Sequence, residues 1–550
     1  MTRKALPCAP RVSFTCCLGV RKASQSTGEL YPMDDEITGH WQTERKRSRV
    51  GFIMEPRSTA TPIAVSVGAS GYSCTPPFHP PYEVVECMFS ERNGEQNPAY
   101  LGVRECFRLA RLDVANYNTV HWNPLADLIR PRETVLLKPN LVKEGHPRDP
   151  QGWQYVLTHG SIVRAVADYV WKALEGRGKI IVADAPQTDS SFAAITRVLG
   201  LDEIQNYYQQ KGLAFELIDL RREEWTNRDG VIVERRTLPG DPYGDVAFDL
   251  ANGSEFVDHH GAGRYYGADY DSGKVNRHHS GGRHEYLISG AAIGCDVFFN
   301  LPKLKTHKKA GVTLSLKNLV GINTDKNFLP HHTEGDPAQG GDEHPRPGAK
   351  HRLERRLVNL SHRAVVAFPD AGSHLLRRLR KPGLRVFGDT ERVIRSGNWY
   401  GNNTVWRMCL DLNKLMAYGN RDGTLRGGLE QNRKRHYVLV DGIIAGEGRG
   451  PMDPDPVNAG LVAFGTHAPG VDAACAYLMG FDPERIPIIA NAFRCKEYSL
   501  AAGDWRDIEI RSNRNEWNGR LSTLADADTL HFKPHFGWTG HIERSGIEGS

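Results

Sequence analysis

Long apolar runs are missing from this sequence: no stretch approaches the run of about 18 apolar residues that a membrane-spanning helix requires, so a soluble chain is expected. The opening MTRKALPCAPRVSFTCCLGVRKASQS sets basic residues before a short apolar patch. That patch is interrupted and runs directly into Arg21 and Lys22, which argues against a secretion signal. Cysteine is also scarce, with 10 in 550 residues and Cys16–Cys17 as the only close group. The absence of any CxxC excludes a locally encoded zinc knuckle or ferredoxin cluster, and the sparse usage suits buried thiols in a reducing cytoplasm. Excess charge of one sign is lacking too: 70 basic against 65 acidic residues leave +5. That is too little to indicate a nucleic-acid partner, which calls for a clustered basic stripe. No Walker A sequence occurs, and no GxGxxG follows the first expected strand.

What is present is alternation. YLGVRECFRLARLD puts Val103, Cys106, Phe107 and Ala110 on one helical face, and ETVLLKPNLV begins as a buried strand that stops at a lysine, a proline and an asparagine. HGSIVRAVADYVWKALEG reads as a helix started near His159 or Ser161, and KIIVADAP as the next strand. SSFAAITRVLGLDEIQNYYQQKG and AFELIDL repeat helix then strand. This pattern predicts an α/β fold with a mostly parallel sheet covered by helices, loop-rich insertions and a C-terminal extension. The expected organisation is a flexible extension over residues 1–50, closing on TERKRSRV; a core over 51–490; and a packing extension over 491–550, read as an extended cover without regular structure.

A parallel sheet collects ligand chemistry at the carboxyl ends of its strands. Lys138, Asn140 and Asp184 fall at such ends. The segment LPKLKTHKKAGVTLSLKNLVGIN, residues 301–323, follows another expected strand over Asp296–Asn300 that Pro302 breaks, leaving Lys303, Lys305 and His307 in the connection. Lys317 and Asn318 sit on an expected short helix beginning near Thr313 or Ser315. Cations next to buried sequence are costly unless they meet anions or solvent, so Lys138, Lys303, Lys305 and Lys317 are read as anion-binding groups. Asn140 and Asn318 are read as orienting the ligand through paired donors and acceptors. His307 is the leading proton-transfer residue, with Asp184 or Asp441 orienting it or coordinating a metal. VLVDGIIAGEGRGP is read as a strand delivering Asp441 to a loop whose Gly446, Gly448 and Gly450 let the backbone approach a ligand.

Two insertions carry histidine. The pairs His259–His260 and His278–His279 are read as loop polarity rather than metal ligands. NTDKNFLPHHTEGDPAQGGDEHP reads equally as a mobile lid over the lysine-rich segment or as a solvated loop with no catalytic group; in the first reading His331, His332, Asp342 and His344 are the candidate ligands of a divalent metal. SHRAVVAFPDAGSHLLRRLR reads as partly helical, Asn403 or Thr404 as the cap of a following helix, and Asp472 as a capping residue.

The motifs VLLKPNLV, LPKLKTHKKAGVTLSLKNLVGI, DGIIAGEGRGP and GVDAACAYLMGFDPERI occur in the order that resembles the domain of unknown function family 362, over roughly residues 100–490. Some members of that family carry ferredoxin-type modules, so the resemblance implies a redox context with an external iron–sulfur partner, this chain having no such module. A remoter resemblance to the lactate racemase superfamily implies an isomerase using a nucleotide-derived cofactor. From the residues themselves, the expectation is an enzyme that binds a phosphorylated or other anionic metabolite and uses acid–base chemistry, with or without a divalent metal. A noncatalytic anion-binding protein is the alternative.

Overall fold

The computed structural model describes residues 62–348 and 393–544, apart from positions 93, 95, 229, 230, 270 and 429, together with residue 360. The expected extension over 1–50 and the helical reading of 361–380 fall outside the described residues. In chain order the elements that build the site are β1 (Ile63–Ser66), α1 (Pro98–Leu109), β2 (Thr134–Pro139), α2 (Gly160–Ala173), β3 (Lys179–Asp184), α3 (Leu201–Gln210) and β4 (Ala214–Asp219). After an insertion come β5 (Val297–Leu301), β6 (Lys303–His307), β7 (Gly311–Thr313), the single-turn α4 (Ser315–Asn318) and α5 (Val405–Tyr418). β8 (Arg435–Glu447), β9 (Asp455–Val457), β10 (Leu461–Gly465), α6 (Ala468–Leu478), β11 (Glu509–Ser512) and β12 (Gly519–Arg520) complete the set.

Alternate residues of the central strands divide between two cores. Val135 and Leu137 of β2, Ile180 and Val182 of β3, and Val297 and Phe299 of β5 pack with α1, α2 and α3. Leu136, Ile181, Ala183 and Phe298 pack on the other face with α5 and α6. The strands belong to one 12-stranded sheet, nine of them in the order β12–β11–β1–β10–β8–β5–β2–β3–β4, with β6 and β9 branching off β8 and β7 pairing with β6. β8, β5, β2, β3 and β4 lie parallel, while β10 runs antiparallel to both β8 and β1. This is an α/β fold with a mixed, mostly parallel sheet. β2, β3 and β4 step outward on one side of β2, and β5 returns on its other side. The strand order therefore reverses between β2 and β5, which opens a crevice at their carboxyl ends.

Several expectations are corrected. Pro302 does interrupt β5, but Lys303–His307 continue as a strand because β8 is long enough to pair with both segments in turn. Asp441 accordingly sits within β8, not in a loop. Gly450 lets protein backbone approach, not ligand: a Cβ there would lie 1.9 Å from the Thr306 carbonyl oxygen. The expected single helix before β4 is two, Phe192–Val198 and α3. The C-terminal segment is more regular than an extended cover, since β11 pairs in parallel with β1 and so extends the main sheet. Among the described residues no helix is long and apolar enough to cross a membrane.

Candidate functional site

The carboxyl ends of β2 and β5 are tied by one amide. Lys138 and Asn300 are register partners, lie on the face of Leu136 and Phe298, and are fully buried. Asn318 of α4 meets both. Its Oδ1 accepts from Lys138 Nζ at 3.3 Å and Asn140 Nδ2 at 3.0 Å, and its Nδ2 donates to the Lys138 carbonyl at 3.0 Å and Asn300 Oδ1 at 2.8 Å. These bonds use both donors and both acceptor positions of the amide. Asn318 therefore fastens the strand ends together and keeps nothing for a ligand, contrary to the sequence expectation.

Lys138 Nζ also lies 2.7 Å from Asp184 Oδ1, and Asp184 Oδ2 accepts from Leu141 N at 2.7 Å. Burial pulls the Lys138 ammonium below its ordinary value, and Asp184 opposes that pull. Gly321 packs directly against the pair.

α4 is positioned from outside. Asp472 of α6 accepts from Ser315 N at 2.8 Å, Ser315 Oγ at 2.5 Å and Leu316 N at 2.9 Å, so it caps α4 rather than its own helix. Burial still lifts its carboxyl to about 7. Asp472→Ala is expected to lower stability by about 1–2 kcal/mol, the upper range for a lost helix cap, because two backbone donors of α4 lose their acceptor. Urea denaturation measures it.

A cavity of about 480 Å³ opens over these strand ends. Six lysines and two histidines line it, against three aspartates. Lys305 donates to the Val156 carbonyl at 2.5 Å and the Pro451 carbonyl at 3.2 Å, so two of its three ammonium hydrogens are engaged. Lys317 lines the same cavity and has no hydrogen-bond or ion-pair partner among the described residues; burial pulls its ammonium below the ordinary value. His307 accepts at Nδ1 from Lys309 N at 3.0 Å and Ala310 N at 3.2 Å. With Nδ1 taken as acceptor, the neutral ring carries its proton on Nε2. Burial, reinforced by Lys317, Lys308 and Lys305, holds the imidazole well below its ordinary value and therefore neutral. His307 is thus set up as an N–H donor. To accept a proton at Nε2 it would have to turn an N–H of Nδ1 against two backbone N–H groups. Burial with Lys308 and Lys317 brings the Lys309 ammonium down to about 7.

Lys303 and Asp441 do not join this cavity. Lys303 Nζ lies 2.9 Å from Asp441 Oδ2 and donates to Tyr72 OH at 2.7 Å; Tyr72 OH donates to Asp441 Oδ1 at 2.6 Å. Asp441 Oδ2 also accepts from His159 N, at 2.9 Å, at the start of α2. This is a closed structural network.

The 331–344 segment is not built as a lid. Pro330–Thr333 is a strand paired with Tyr265–Gly267. Asp342 accepts from Thr333 N at 2.7 Å, Asn403 N at 2.8 Å and Thr404 Oγ1 at 2.6 Å, locking the segment to the start of α5. The α5 cap comes from Asn402 Oδ1, which accepts from Thr404 N and Val405 N. His331 lines the cavity. His332 stacks on Tyr266, and His344 faces Glu343 at 3.5 Å. No group of three metal-ligating side chains converges among the described residues, so the candidate metal ligands do not form one set. Lys309, Lys326 and Asp269 also line the cavity. Lys309 was visible in the sequence as part of the doublet after His307. Asp269 lies in an irregular stretch that carries no periodic signal.

An α/β protein with a cationic cavity at the switch point of its sheet is the class so defined. The chain belongs to the family described as Domain of unknown function (DUF362), whose profile matches residues 135–241 and 250–477, more than half of the chain. All the cavity residues named above fall within the matched segments. No curated protein matches the chain. Among solved structures, a protein from Thermotoga maritima is similar at 11% identity with a TM-score of 0.23, over 60% of this chain and 50% of that one, so the chain spans half the length of that protein.

Proposed function

We propose that this chain is an enzyme acting on a small phosphorylated or carboxylated metabolite by acid–base chemistry. The observation that carries the reading is Lys317, a lysine lining the cavity with no ion-pair partner among the described residues, near the Nε2 side of His307. An anion between them would take two donors and relieve the mutual repulsion of Lys305, Lys309 and Lys317. His307 then donates to the anion or to charge developing on it, and Lys309, near 7, is the group that exchanges a proton. The buried thiols Cys106, Cys409 and Cys475 support a reducing compartment, the cytoplasm.

Sulfate is the probe for the anion site, because its charge is constant across neutral pH. Lys309 is cationic below its value of about 7 and neutral above it. Sulfate affinity measured by calorimetry should therefore fall as pH rises through the neutral range, and bound sulfate, by raising that value, should displace the fall upward. Lys309→Met should flatten the profile. Lys317→Met should weaken sulfate about tenfold or more at every pH, as expected for the loss of a charged hydrogen bond. Failure of the wild-type protein to bind sulfate or phosphate at millimolar concentration would remove the reading. Product-resolved assays across phosphorylated and carboxylated metabolites test catalysis separately, since a binding protein would retain affinity without turnover.

A further inference from the structure

Three of the six cavity lysines, Lys305, Lys308 and Lys317, gather around His307, whereas Lys138 pairs with Asp184, and Lys326, which donates to the Ala185 carbonyl at 2.8 Å, acts on Asp269. Lys305, Lys308, Lys317 and His331 all act electrostatically on His307, and no aspartate does so to comparable effect. One wall is built by the loop after β3 and by the hairpin of Glu223–Arg228 and Val231–Thr237, joined where Trp225 N donates to the Thr188 carbonyl at 2.8 Å. This wall carries Asp189 and Asp269.

The three cavity aspartates are not equally provided for. Asp184 has Lys138 and Leu141 N. Asp189 Oδ2 has Lys143 Nζ at 2.6 Å and Asn227 Nδ2 at 3.0 Å. Asp269 has the Thr188 hydroxyl, which lies 2.9 and 3.2 Å from its two oxygens and has a single hydrogen to give. A carboxylate offers about four acceptor positions, so Asp269, half-buried where it lines the cavity, keeps acceptor capacity beyond the Thr188 hydroxyl. Burial pushes its carboxyl up to about 6, while the Thr188 hydroxyl and Lys326 pull the other way. Two further acceptors line the cavity without a partner among the described residues, Asn140 Oδ1 and Thr313 Oγ1. Both residues are buried, at 9% and 3% exposure.

We propose that the cavity takes a two-ended metabolite, with an anionic group at the lysines around His307, hydroxyls along Asn140 and Thr313, and a hydrogen-bond donor, ammonium or hydroxyl, received by Asp269. This rests on the anion-site reading above and narrows it to phosphorylated polyhydroxy compounds, with or without an amine. The cavity size suits a molecule of that kind, lying within the range of about 300–1,000 Å³ typical of small-molecule sites.

Calorimetry at neutral pH with inorganic phosphate, glucose 6-phosphate and glucosamine 6-phosphate tests it on the full chain, using wild type, Asp269→Asn and Lys317→Met. At least one sugar phosphate should bind about tenfold more tightly than inorganic phosphate. Asp269→Asn, which keeps the shape but removes the charge, should abolish most of that gain while leaving phosphate affinity within about twofold, the retained affinity serving as the check on folding. Lys317→Met should weaken all three probes. A preference for glucosamine 6-phosphate identifies the donor as ammonium, and equal binding of the two sugars identifies it as hydroxyl. Equal affinity for all three probes, or no effect of Asp269→Asn, overturns the two-ended ligand and leaves the anion site standing. Absence of binding by every probe overturns both.

Discussion

Lys303→Met is expected to destabilise the fold by about 3–5 kcal/mol, the range for removing one partner of a buried ion pair, without weakening anion binding. Lys303 and Asp441 are both fully buried, and methionine fills the volume of the lysine stem but supplies no donor. Asp441 would keep Tyr72 OH and His159 N and lose the only cation at hydrogen-bond distance among the described residues. The desolvated carboxylate, more than the lost bond, accounts for the size of the effect. Adding Asp441→Asn to Lys303→Met should recover most of the loss, because a neutral amide can still accept from Tyr72 and His159. A urea-denaturation cycle over the wild type, both single variants and the double variant measures the coupling. A loss below about 1 kcal/mol for Lys303→Met would mean that water or another group already compensates Asp441. Sulfate affinity should be unchanged throughout, since neither residue lines the cavity; a parallel loss of affinity would return Lys303 to the ligand site.

That prediction also marks what could be read from the sequence. The strand–helix alternation from Thr134 to Asp219 was legible because central parallel strands, buried on both faces, read as unbroken apolar runs with turn residues at their ends. The same rule placed Lys138, Asn140 and Asp184 at carboxyl ends, and the structure brings them together with Lys305, Lys317 and His307 around one cavity. Partnership was not legible. Lys303 and Lys305 look equivalent in LPKLKTH, yet a register shift between them against β8 gives one a carboxylate and the other two carbonyl groups. Asn318 looks like a ligand-orienting amide until its partners on β2 and β5, far away in sequence, are known. The role of Asp472 was visible in kind, as a cap, but the helix it caps lies more than 150 residues upstream. Likewise His307 was found by residue type, while the direction in which it handles a proton depends on the backbone N–H groups of Lys309 and Ala310.

Gly321→Ala should be among the most damaging single-methyl additions available in this chain. A Cβ there would sit 1.8 Å from Asp184 Oδ1 and 2.7 Å from Lys138 Nζ, distances no relaxation of hydrogen positions can accommodate. The backbone cannot simply withdraw, because the Gly321 carbonyl accepts from Ala185 N at 2.8 Å, immediately after Asp184. Nor can the carboxylate turn freely, since its other oxygen is held by Leu141 N. The Lys138–Asp184 pair must therefore separate, with both groups still buried. The expected cost is about 3–5 kcal/mol for the broken pair, with overpacking adding to it. Both side chains line the cavity, so the displaced carboxylate moves into space facing Lys317. It should compete there with an incoming anion and weaken sulfate about tenfold or more. Val320→Ala, the neighbouring truncation at a half-buried cavity position, serves as the comparison; it makes no new contact with the pair and should leave sulfate affinity near that of the wild type. Urea denaturation and sulfate calorimetry on the two variants decide the matter. A Gly321→Ala protein within about 1 kcal/mol of wild-type stability and with unchanged sulfate affinity would show that the Lys138–Asp184 pair is not the fixed floor of this site.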